Sequence, residues 1–126
     1  MDSKFLPLAL QLDEAGLSWI PQIGDEVSQR VEPGEVAILF DNQGLTIDEL
    51  KRTFVWLPTL EQIVTQLEIR QAVLKHAGLS LDKSNFGYSA VVKHKIGEIR
   101  AIAPNLRIAL GMTLKEIITF QFAKLH

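Results

Sequence analysis

Pro58 stands between two segments that cannot belong to one element. Before it, Phe54, Val55, Trp56 and Leu57 form a run of large apolar residues that favours a strand. Proline has no N–H to give to a sheet ladder, so the run ends there. After it, Thr59 lies three residues before Gln62, the spacing at which two side chains satisfy the free donors of a helix's first turn. Leu60, Ile63, Val64, Leu67, Leu74 and Ala77 then recur at helical spacing and predict a long central helix with one stripe on a core. Ala77-Gly78-Leu79 reads as its stop, with Gly78 as the left-handed residue.

The elements on either side rest on similar signals. Residues 7–15 read as a short helix closed by Gly16. Leucines at every second position from Leu6 to Leu12 also suit a strand, but the glycine cap favours the helix. Strands are expected at 27–31 and 35–40, joined by Pro33-Gly34, with glycine taking positive φ. The second of these is apolar on both faces and so is expected at the centre of the sheet. Thr46 and Glu49 repeat the capping spacing and open a short helix before Phe54. A polar loop at 81–85 precedes a second hairpin, 86–94 with 98–103. The last helix, 106–124, carries Leu106, Leu110, Leu114, Ile117 and Phe120 on its main stripe, with Ile118, Phe122 and Leu125 outside it.

Together these segments predict an α+β fold: a two-layer arrangement with an antiparallel sheet of about five strands, two hairpins and a central strand. Two long helices and one or two short ones complete it. A chain of 126 residues, 47% of them hydrophobic, can bury one core unaided, so 1–126 reads as a single domain. The absence of cysteine removes disulfides, thiolate nucleophiles and Cys-based metal sites, and suits a cytoplasmic location. No apolar run reaches the roughly 20 residues of a membrane helix, and 6–12 is too short and interrupted for a signal peptide.

Chemistry is hard to find among the motifs. His76, His94 and His126 have no partner at metal-ligand spacing, and each reads as a surface or capping residue; His76 falls near the end of the central helix. Asp13-Glu14, Asp25-Glu26 and Asp48-Glu49 are adjacent and do not share a helix face. There is no nucleophile elbow and no glycine-rich phosphate loop. No cofactor or metal is expected.

Two features remain. Ile69, Val73, Ile118 and Phe122 lie off the main stripes of the long helices. A helix apolar on two sides is either buried by two layers or bound to another chain. Charge is also divided: 1–50 holds ten acids against two bases, and 51–126 eleven bases against five acids. Both suit a non-catalytic interaction or self-assembly module, a homo-oligomer or a partner of another protein. The alternative is a nucleic-acid-binding protein using Lys93, Lys95, Arg100 and Arg107 after the aromatic Phe86 and Tyr88. A third reading is an enzyme whose site is assembled from residues distant in sequence.

Overall fold

A computed structural model describes residues 3–80 and 87–125, the side chains of 124 and 125 excepted. The 81–85 loop, Phe86, His126 and the Leu125 side chain lie outside the described residues. The chain forms two compact units, Met1–Pro58 and Thr59–His126. The boundary is the Pro58-Thr59 step.

In the first unit a 3-10 turn, Ser3–Phe5, leads into α1, Leu6–Ala15. Gly16 closes α1 at φ 109°, with Leu17 N–H donating to Leu12 O (2.9 Å) and Gly16 N–H to Asp13 O (3.1 Å). Only glycine takes this left-handed step without penalty. Strands β1 (Glu26–Gln29), β2 (Ala37–Ile38) and β3 (Phe54–Leu57) form an antiparallel sheet in the order β2-β1-β3. The apolar 35–40 segment therefore forms the edge strand, not the expected centre. Its pairing is short, Glu26 opposite Ile38 and Val27 opposite Ala37. The turn before it also differs: Glu32, at φ 58°, takes the left-handed position expected of Gly34. Helix α2, Ile47–Thr53, opens with the Thr46–Glu49 capping box and runs directly into β3. Trp19, Val27, Leu39, Leu50 and Phe54 form one buried core cluster, with Leu45 and Trp56 packed on it.

The second unit opens with α3, Leu60–Ile69, on the Thr59–Gln62 capping box. It then departs from the long helix expected to reach Ala77. Ala72 N–H donates to Leu67 O (3.0 Å) and Gln71 N–H to Glu68 O (2.9 Å), with Gln71 at φ 62°. This is the two-bond helix stop usually built on glycine, here built on glutamine. Beyond the stop the chain enters strand β4, Val73–Leu79, so Leu74, His76 and Ala77 belong to a sheet. β4 pairs with β5 (Tyr88–His94), and β5 with β6 (Gly97–Ala103), all antiparallel in the order β4-β5-β6. Thus the five expected strands are present among the described residues, with β4 as a sixth, and they divide into two three-stranded sheets in place of one.

Helix α4, Leu106–Leu125, packs over β5 and β6 and against α3. Ala109, Leu110, Leu114, Ile117 and Ile118 are buried, while Phe120 is exposed. The buried stripe therefore includes Ile118 and excludes Phe120, the reverse of the sequence expectation. Contact with both a sheet and a second helix explains why α4 is apolar around much of its girth.

Candidate interaction surface

The sheet of the second unit has α4 on one side, and Ser89, Val91 and Lys93 of β5 alternate to the other. Pairing sets Val92 opposite Ile99 and Ala90 opposite Ala101, all four buried, so these residues mark the helix side. The pairing of β4 with β5 slips between Leu74 and His76, leaving Lys75 as an extra residue. Leu74 faces Val92, Ala77 faces Ala90 and Leu79 faces Tyr88. All three β4 residues therefore point to the helix side.

They are nevertheless bare. α4 touches β4 far less than β5 or β6, and Leu74 is 42% and Leu79 66% exposed. Ala77 and Tyr88 are exposed too. A row of core-facing residues thus overhangs the helix that covers its neighbours. Folded chains rarely leave such a row uncovered unless something else covers it. The backbone edge of β4 is partly blunted, because the Lys75 bulge interrupts the ladder and adds a charge. The side-chain row, more than the ladder, is what β4 leaves exposed.

The residues singled out in the sequence distribute unevenly around this row. Ile69, at the end of α3, Val73 and Phe122 are exposed. Val73 pairs with Lys93 and lies on the opposite side of β4 from Leu74. Ile118 is only 1% exposed and offers no surface. Helical spacing assigns Leu74 to a stripe and Leu79 to a cap, so sequence reasoning misses both as surface residues. A regular strand over 73–79 would put these two residues, five apart, on opposite faces; the bulge at Lys75 is what brings them to one.

Among the described residues, the basic side chains and Tyr88 do not share one strand face. Strand alternation puts Lys93 on the side away from α4 and Tyr88 on the helix side. Arg100, opposite Val91 on that same side, pairs with Glu98 at 3.0 Å. Lys95 is exposed in the hairpin turn, and Arg107 is half-buried in the first turn of α4. Of the histidines, His94 is buried, its Nδ1 3.5 Å from Ile96 N–H, and His76 is half-buried, its Nε2 3.3 Å from Leu79 O. Both differ from the surface and helix-capping roles expected.

Shifted ionisations trace to structural contacts. In the first unit Arg30 donates two bonds to Asp13 (2.7 and 2.9 Å) and one from Nε to Lys51 O (2.8 Å). The Asp13 hydrogen bonds raise the guanidinium above its ordinary value, against the opposing effect of burial. In the second unit, burial lowers Arg70, which donates to Gln66 Oε1 at 2.6 Å. A cleft of about 170 Å³ beside Trp19 and Trp56 is walled by the Asp13–Arg30 pair, whose charges are spent on each other. Among the described residues no three His, Asp or Glu side chains gather as metal ligands, and no helix is long and apolar enough to cross a membrane. The chain matches no protein-family model, no curated protein and no solved structure.

Proposed function

We propose that this protein is a non-catalytic interaction module that self-associates through the β4 overhang of its second unit. The observation that carries the reading is the row Leu74, Ala77 and Leu79, built on the core-facing side of a sheet and left uncovered by α4. A second copy meeting it would remove several large apolar side chains from water, at about 25 cal/mol per Å². Exposed Ile69 and Phe122 are candidate residues at the margin of that contact. The absence of cysteine suits action in the reducing cytoplasm.

Size exclusion with light scattering at high micromolar concentration tests the proposal. The wild-type chain should run as a dimer or larger, and Leu79→Asp should run as a folded monomer. A clean wild-type monomer, or a Leu79→Asp variant that associates as before, refutes it.

A further inference from the structure

β4 offers a backbone edge as well as a side-chain row. It is the last strand of its sheet, with β5 on one side only. Ser80 N–H donates to Gly87 O (2.9 Å), so the Ser80 backbone turns towards the β5 side. Alternation turns Gly78 and His76 the same way, opposite Ser89 and Val91. The N–H and C=O groups of Ala77 and Leu79 therefore point outwards. Among the described residues no backbone group bonds to them there. His76 Nε2 lies 3.3 Å from Leu79 O, which keeps a second lone pair.

The bulge at Lys75 limits what can pair with this edge. It ends the regular ladder on one side of His76, so the outward groups of Ala77 and Leu79 are its usable part. An antiparallel copy of the same segment fits them. With Gly78 on a two-fold axis, Ala77 of each copy stands opposite Leu79 of the other, and each such pair exchanges both N–H···O bonds. A small side chain then lies beside a large one, on the face that α4 covers in β5 and β6. The Lys75 side chains fall beyond the paired segment at opposite ends, so no like charges meet across the strands.

We infer that self-association proceeds by strand addition, β4 to β4, joining the two copies of the β4-β5-β6 sheet into one continuous sheet. This rests on the reading of β4 as the self-association surface and fixes its geometry. An unpaired strand edge is a template for another strand. A second copy answers both demands of β4 at once, because it brings a matching backbone edge and a row of Leu74, Ala77 and Leu79 on the same face.

Single cysteines test the register, since the chain has none of its own. Across the axis, Gly78 forms a non-hydrogen-bonded pair with Cα atoms about 4.5 Å apart, within disulfide range. A Cβ at 78 meets nothing nearer than His76 Cε1 at 3.7 Å, an ordinary contact. Val73 is also exposed, but in this register it lies roughly 30 Å from its own counterpart. Under copper–phenanthroline oxidation, Gly78→Cys should form a disulfide dimer about tenfold or more faster than Val73→Cys, because pairing raises the effective concentration. Ala77→Pro removes one outward N–H and no bond to β5, a change that an edge strand accepts. By light scattering it should run as a monomer at concentrations where wild type associates.

Circular dichroism verifies folding, and crosslinking decides alone if the proline variant does not fold. Equal crosslinking of the two cysteine variants, or a folded Ala77→Pro that associates as before, overturns strand addition. If Leu79→Asp is monomeric in the same series, the side-chain row still stands as the contact. A monomeric wild type overturns both.

Discussion

Trp19 and Trp56 stack with their ring planes 13° apart and their centroids separated by 6.4 Å. Trp19 comes from the irregular segment after α1, and Trp56 from β3, opposite Val27 in the register with β1. The Trp19 indole N–H donates to Asp25 Oδ2 at 2.9 Å, and the same oxygen accepts from Gln22 N–H. One buried carboxylate thus fixes a loop against a strand.

Trp19→Ala should destabilise the first unit by roughly 3–5 kcal/mol, the cost of truncating a buried large aromatic. Asp25→Ala should cost about 1–3 kcal/mol, because the indole N–H and the Gln22 amide both lose their acceptor. Asp25→Asn, which keeps an acceptor, should cost less than Asp25→Ala. Urea titrations followed by circular dichroism measure all three.

The two capping boxes should respond differently to pH. The Thr46 N–H bond to its carboxylate, then the Thr46 side chain, hold Glu49 below the ordinary glutamate range. A lowered carboxyl contributes stability that is complete above its unfolded value and lost as pH falls through the folded one. Glu49→Gln should therefore differ from wild type most at neutral pH, with the two urea midpoints converging on acidification. The Thr59–Gln62 box has no titrating member. Thr59→Ala should cost about 1 kcal/mol with no acid dependence arising from that box.

Gln71→Gly should stabilise the second unit. Gln71 occupies the left-handed position of the α3 stop at φ 62°, where a side chain costs roughly 1–2 kcal/mol. Glycine removes that strain but adds freedom to the unfolded chain, so a net gain of up to about 1 kcal/mol is expected. A lower melting temperature in the variant would contradict the assignment.

Gly87→Ala should do the opposite. At φ 146°, a Cβ on residue 87 would meet the Ala103 carbonyl oxygen at 2.7 Å. That oxygen belongs to the backbone at the end of β6 and cannot rotate away. A loss of more than about 1 kcal/mol is expected by thermal melting.

Much of the local structure is legible in the residues. The Thr46 and Thr59 boxes, the Gly16 closure and the step from strand to helix at Pro58 all stand as their side chains dictate. Helical spacing misleads after Ile69. Residues 70–77 suit a helix by composition, and Gly78 offers a better stop than Gln71. The candidate surface is lost with that error, since Leu74 and Leu79 share a face only in a strand that bulges at Lys75. Ile118 is misplaced for a related reason: its burial depends on where α4 meets its neighbours, which its own spacing does not reveal.

Sequence alone determined where helices begin and which glycine could end one, because those groups are satisfied within a few residues along the chain. Tertiary structure decided that 73–79 is a strand, that there are two sheets, and which apolar side chains are covered. Those outcomes rest on pairing with 88–94 and on the reach of α4, contacts whose energy arises between residues far apart in the chain.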